Sequence, residues 1–298
     1  MRKLLFLVNP NAGQRRVNKS LTDIIGIFNE SGYEVTVFMT NGPGSGTGIV
    51  EERAKDYDLV VCAGGDGTLN ETITGVLRAG ADCPVGYIPC GSTNDFASTL
   101  KLSMDTVQAA KDIMLGKPIP YDVGRWNDRY FTYIASFGAF TAASYSTSQT
   151  AKNLFGHLAY LVSGVKDIAN IQPRHAVFDL PDGRRIEGDF AFGAVTNTTS
   201  AGGVLKLPSD HVSLSDGYME LFLIRMPKTP LDLQRIAAAL MAQDFEGCPL
   251  IELHHIRSVR VLLDDNLSWS LDGEEALGGK RIEIKCLGGG VRLKTPKG

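Results

Sequence analysis

The sequence predicts an α/β N-terminal domain on a mainly parallel sheet, followed by a β-rich C-terminal half. Three observations carry this. Up to about residue 120, apolar strand-like runs alternate with stretches of helical period. The central runs are apolar along their whole length, as strands covered on both faces require. After Pro118 the pattern changes to short alternating runs separated by turn residues.

The elements follow in order. Leu4–Val8, "LLFLV", reads as a buried strand, and Leu21, Ile24, Ile25 and Phe28 mark one face of a helix. Tyr33–Thr40 alternates as a strand, the glycine-rich "NGPGSGTG" (Asn41–Gly48) reads as a mobile loop, and a weak helix covers about Ile49–Lys55. "DLVVCA" is a third strand, Thr68–Arg78 a third helix and "PVGYIP" a fourth strand, with helical segments starting near Ser92 and Asp105. In the second half, "PYDVGRW", "RYFTYIASF", "RHAVFDL", "RIEGDFAFGAVT", "YMELFLI", "SVRVLL", "LSWSL" and "RIEIKCL" read as strands, interrupted by helices over Lys152–Asn170 and Leu231–Gln243. Pro118 and Pro120 bracket a short linker, which places the boundary near 118–124. No internal repeat or low-complexity segment is visible.

Composition narrows the class. The chain has 298 residues, 43% hydrophobic and 21% charged, enough for a sizeable core. A net charge of −3 disfavours a dominant nucleic-acid binder. The five cysteines show no metal-knuckle or redox spacing, which fits a reducing cytoplasm. No stretch approaches the roughly 18 apolar residues of a membrane span, so membrane contact is expected to be peripheral. The five histidines are scattered outside the glycine-rich loops and read as surface or core.

Four strand ends in the first half carry unusual residues: "NPNAG" (Asn9–Gly13), Thr40, "GGDGTLNE" (Gly64–Glu71) and "PCGSTNDFA" (Pro89–Ala97). Taken singly, each also reads as an ordinary capped turn. Together they fall on one edge of a parallel sheet, where ligands of such sheets bind. Glycine lets the backbone approach a phosphate and turn N–H groups toward it, and a following helix adds its positive end. A Walker loop and a dinucleotide fingerprint are both absent from the sequence. Two acidic turns, "LSDGYMEL" and "SWSLDGEEA", read locally as turn chemistry; beside phosphates, such carboxylates can hold Mg²⁺ or take a proton. The apolar stripe Leu154, Leu158, Leu161, Val162, Val165 and Ile168 reads as core more readily than as a lipid-binding face.

In their order and spacing, "NPNAG", "GGDGTLNE", "GSTNDFA", "SDG" and "LDGE" resemble the bacterial soluble lipid kinases of the diacylglycerol kinase catalytic-domain family, relatives of sphingosine and ceramide kinases. The resemblance implies a nucleotide-binding domain over 1–120 with a returning segment at about 289–298. It also implies a β-sandwich over 121–288 and an active site in the interdomain cleft. It places ATP on Asn9, Pro10, Asn11, Ala12, Gly13, Thr40, Gly64, Gly65, Asp66, Gly67, Thr68, Leu69, Asn70, Ser92 and Thr93. Asp66 would serve catalysis close to the ATP phosphates and Mg²⁺, and Asp95 near the lipid hydroxyl or by organising the site. Glu274 matches the proton acceptor, with Asp272 in the same carboxylate network. A second metal site would use Asp216 with the main-chain carbonyls of Ser213 and Tyr218.

Ser92, Cys90 and Ser213 depart from the residues common in relatives without removing a group the chemistry needs. The implied reaction is ATP-dependent phosphorylation of a lipid hydroxyl, diacylglycerol first, by a cytoplasmic, peripherally membrane-associated enzyme; a homodimer is also suggested. The alternatives are a NAD kinase-like enzyme acting on a polar hydroxyl, and a nucleotide- or lipid-binding regulator without turnover.

Overall fold

The computed structural model describes residues 1–92, 94–138, 172–198, 200–201, 205–207 and 212–296. The helix expected over Lys152–Asn170, with its apolar stripe, lies outside them. The chain forms two compact units: Met1–Tyr121 with the stretch from Gly288 onward, and Asp122–Leu287.

The first unit is a parallel α/β layer structure. β1 (Arg2–Val8) pairs in parallel with β2 (Tyr33–Met39) on one side and β3 (Leu59–Gly64) on the other. β3 pairs in parallel with β4 (Val85–Pro89), and β4 takes Leu293 and Lys294 of the last strand as a further parallel neighbour. Chain direction across the sheet therefore reverses between β1 and β3, the switch point where such sheets open a crevice at the strands' C-terminal ends.

Helices cover both faces. Leu4, Phe6 and Val8 share a core with Val17, Ile24 and Phe28 of α1 (Arg16–Glu30) and Ala109, Ala110 and Ile113 of α5 (Thr106–Leu115). On the other face lie α2 (Ser45–Arg53) and α3 (Asp66–Ala79), in mutual contact. A short helix, α4 (Asp95–Thr99), precedes α5.

The glycine-rich segment after β2 is loop only as far as Gly44. Helix α2 begins inside it, at Ser45. Gly46 is a packing residue: a Cβ there would stand 2.5 Å from the Glu71 carboxylate and 3.0 Å from a Leu7 methyl, while a Cβ on Gly75 of α3 would stand 2.6 Å from Cβ of Val50, so α3 is bare where the Val50 side chain of α2 packs on it. Glu71 of α3 supplies the cap, accepting the N–H groups of Gly44 (2.7 Å) and Gly46 (2.8 Å). Helix propensity alone argues against Gly46 and Gly48 in the first turns of α2; the carboxylate and close packing at Gly46 supply what it lacks.

The second unit is antiparallel. β5 (Lys117–Trp126) enters it and pairs with β6 (Arg129–Phe131) around the turn at Asn127 and Asp128. β7 (Ile134–Gly138), β8 (Arg174–Asp179) and β12 (Met219–Arg225) all pair with β9 (Arg185–Thr196). The N-terminal half of β9 holds β8 and its C-terminal half holds β7, so one long strand serves two sheet segments, as strands do where sheets fold over a core. The β8 side continues through β14 (Ser258–Leu263) to residues 281–285 of β17 (Arg281–Thr295). The β7 side continues through β15 (Ser268–Leu271) to β16 (Glu274–Leu277). β13 (Ile251–Ile256) pairs with β12, and a two-stranded ribbon joins β10 (Ser200–Ala201) to β11 (Leu205–Lys206). Phe137, Phe178, Phe190, Trp126 and Trp269 fill the core. α6 (Pro230–Ala242) carries a capping box between Thr229 and Asp232.

Two expectations are corrected here. "RYFTYIASF" is two strands, broken at Thr132 and Tyr133, and "IELHHI" is a strand that the sequence pattern did not indicate. Among the described residues no helix is long and apolar enough to cross a membrane.

Glu71→Ala should free the Gly44 and Gly46 amides. A loss of about 1–2 kcal/mol in denaturant unfolding is expected, with faster hydrogen exchange confined to the start of α2.

Candidate active site

In the first unit three loops meet at the switch point with little but backbone between them. Asn9 donates its N–H to the Ala63 carbonyl (2.9 Å) and its side-chain amide to the Thr68 hydroxyl (3.2 Å), so the ends of β1 and β3 are stitched together. The Asn9 side-chain oxygen accepts the N–H of Asn11 (3.1 Å), which bends "NPNAG" into a turn. Gly13 has φ +51°, and a Cβ there would overlap the Cys90 carbonyl oxygen. A Cβ on Gly91 would stand 2.6 Å from the Gly65 Cα. Any side chain at either place would force the loops apart.

Asn94, buried in the left-handed region at φ 53°, holds the last loop by exchanging bonds with Gly91: it accepts from N (2.9 Å) and donates to O (2.9 Å). The Tyr87 hydroxyl donates to that amide oxygen (3.2 Å) and lies beside Gly64 O. Burial, with Asp66 nearby, raises the Tyr87 phenol well above its ordinary range, so it stays a proton donor.

Helix α3 starts at Asp66, and its cap residue Gly65 contributes no side-chain bond. The first-turn N–H groups therefore have no partner within the helix. The Asp66 carboxylate accepts the N–H of Asp95 (3.0 Å) and of Phe96 (3.4 Å), which anchors α4. Leu69 is fully buried, so only its backbone can face a ligand. Ser92 is exposed, Thr40 is tied to β1 by its N–H on the Val8 carbonyl (2.9 Å), and Thr93 lies outside the described residues.

In the second unit, Asp272 and Gly273 form the turn between β15 and β16, with φ 50° and 88° as a two-residue hairpin of the primed type requires. Asp272 is buried, and its carboxylate accepts four bonds: Thr132 N–H (2.5 Å), Thr132 hydroxyl (2.7 Å), Tyr133 N–H (3.0 Å) and Ile134 N–H (3.0 Å). These bonds break the strand at Thr132. Burial pushes the Asp272 carboxyl up, and the donated bonds oppose that. Two residues on, Glu274 projects from the hairpin with 62% of its side chain exposed, its carboxylate 3.9 Å from Arg129. One hairpin thus holds an anchoring carboxylate and a solvent-facing one.

Asp216 and Tyr218, expected from the sequence at a second metal site, lie at another turn. Asp216 accepts the Tyr218 N–H (3.0 Å), and buried Asp122 accepts the Gly217 N–H (2.6 Å). His255 Nε2 lies 3.3 Å from Asp216 and 3.8 Å from Glu220, and its ring stacks on Tyr218. Glu220 is buried with neither oxygen hydrogen-bonded. Burial raises its carboxyl to about 8, with Asp216 and Asp122 adding to the rise. Among the described residues no three His, Cys, Asp or Glu side chains are arranged to hold a metal, so a cation at Asp216 would draw on carbonyls and water. Sequence reasoning passed over Asp122, Glu220 and His255. The signal for Glu220 was its charge inside the apolar run "MELFLI".

Comparison with known proteins follows the same lines. Residues 3–126 match the diacylglycerol kinase catalytic domain. Diacylglycerol kinase of Bacillus subtilis (strain 168) is 31% identical over 276 residues, spanning 92% of this chain and 90% of that protein. Diacylglycerol kinase of Staphylococcus aureus (strain MRSA252) is 30% identical over 286 residues, spanning 94% and 88%. A crystal structure of a candidate diacylglycerol kinase from Bacillus anthracis str. Sterne superposes with a TM-score of 0.82 at 23% identity, over 99% of this chain and 97% of that one, which establishes the fold.

Asp272→Ala should leave three backbone N–H groups and a hydroxyl without their acceptor. An unfolding free energy lower by about 3 kcal/mol or more is expected, against about 1 kcal/mol for Thr132→Val, both read from denaturant titrations.

Proposed function

The chain belongs to the diacylglycerol kinase family, which makes it an ATP-using kinase, and from that premise we propose that it phosphorylates the free hydroxyl of diacylglycerol to give phosphatidic acid. The observation that carries the nucleotide half is the side-chain-free approach of Gly13 to Cys90 and of Gly65 to Gly91 at the switch point. Backbone N–H groups and the open start of α3 suit phosphate oxygens there.

The phosphoryl acceptor chemistry needs a base reachable from solvent. Glu274 meets that need: its carboxylate takes the proton of the lipid hydroxyl as the new O–P bond forms and the bond from the γ-phosphorus to ADP breaks. Asp272 positions the hairpin that presents Glu274, and Arg129 lies 3.9 Å from that carboxylate. Asp66 shapes the nucleotide loop while anchoring α4, and Asp95 shares that segment.

Residues present fit magnesium in both units. Asp66 and Asp95 would hold an ion at the phosphates, and Asp216 with the carbonyls of Ser213 and Tyr218 would hold a second. The orphaned, buried Glu220 carboxylate supports the second placement. Bound magnesium supplies neutralisation of phosphate charge. The substrate is taken at a membrane surface, through peripheral contact from the cytoplasm.

Labelled ATP supplied with vesicles containing diacylglycerol, ceramide or phosphatidylglycerol, and separately with NAD, should yield labelled phosphatidic acid as the main product. Label mainly in NAD phosphate, or none in any arm, defeats the reading. Glu274→Gln should lower kcat by about a hundredfold or more with the KM for ATP little changed. Asp66→Asn keeps one acceptor for α4 and tests the nucleotide loop more cleanly than Asp66→Ala, which also unfastens the helix.

A further inference from the structure

Glu220 stands in the middle of the apolar strand β12, 2% exposed, with both carboxylate oxygens lacking a hydrogen bond. A desolvated carboxylate without donors is costly to keep. The His255 Nε2 is 3.8 Å from it and closer to Asp216, at 3.3 Å. The His255 side chain is 49% exposed, so it can turn to solvent. Asp122 differs from Glu220 in holding the Gly217 N–H. Asp216 is 32% exposed and offers a route from water to the cluster.

We propose that Glu220 is a positioning residue for a divalent cation at Asp216, supplying, with the ion beside it, the second negative charge that a doubly charged ion needs. This rests on the reading of Ser213, Asp216 and Tyr218 as a cation site. The Ser213 and Tyr218 carbonyls are neutral, so Asp216 alone would leave one charge of the ion uncompensated, and affinity for divalent ions follows the charge count of the site. Glu220 acts through the ion's water or through Asp216, in the manner of the outer partners that orient metal ligands.

The test uses the full chain, free of nucleotide and stripped with chelator. Mn²⁺ binding is followed by electron paramagnetic resonance, and the Mg²⁺-dependent rise in Tm by thermal unfolding. Glu220→Gln and the apolar Glu220→Leu should each weaken Mn²⁺ binding by about tenfold and shrink the Mg²⁺-dependent rise. Asp216→Asn should remove both signals. Unchanged Mn²⁺ affinity in both Glu220 variants, with binding lost in Asp216→Asn, overturns the role of Glu220 and leaves the cation site standing. Unchanged binding in Asp216→Asn overturns the site and the inference together. The two substitutions at Glu220 cover the case in which one fails to fold.

Discussion

The second unit depends on one buried carboxylate. Asp272 collects three consecutive backbone N–H groups and a hydroxyl from Thr132, Tyr133 and Ile134. From there a polar line continues through the interior. The Tyr133 carbonyl accepts the Thr196 hydroxyl (2.7 Å) and the Asn197 N–H (3.0 Å), and the Asn197 amide donates to the Asp122 carbonyl (2.8 Å). Asp122 in turn fixes Gly217. The hairpin with Glu274 and the turn with Asp216 are thus members of one hydrogen-bonded chain through low-dielectric protein, where such networks are stiff when satisfied.

The first unit solves a different problem. Its loops must come close enough to share a ligand while carrying almost no side-chain volume. Glycine is used where backbones meet, and the stitching is left to short polar side chains, Asn9 and Asn94. Asp66 adds a constraint: its carboxylate also anchors the start of α4, so loop shape and local charge are set by one residue.

Legibility from sequence followed the range of the interaction. Central strands β1 and β3 were plain because burial on both faces writes a continuous apolar run. The "LDGE" turn was plain because two positive φ values select Asp-Gly. The break at Thr132 was hidden because its cause, Asp272, is 140 residues away. The helix over Ile49–Lys55 was visible, but the start of α2 at Ser45–Gly48 was read as loop because its support, Glu71, comes from a different helix and its glycines count against it locally. β13 was missed because "IELHHI" lacks alternation, its middle residues being half-exposed. The glycine loops could be located from sequence, but the roles of Asp122 and Glu220 needed the fold that brings them to one turn.

The parallel strand beside β4 is made by Leu293 and Lys294. During synthesis, the first unit's other strands leave the ribosome long before this last partner does. Until it arrives, the outer edge of β4 presents unpaired N–H and carbonyl groups, a template for wrong pairing. The sheet can be finished only after the whole second unit has been made, so completion of the first unit waits on synthesis of the second.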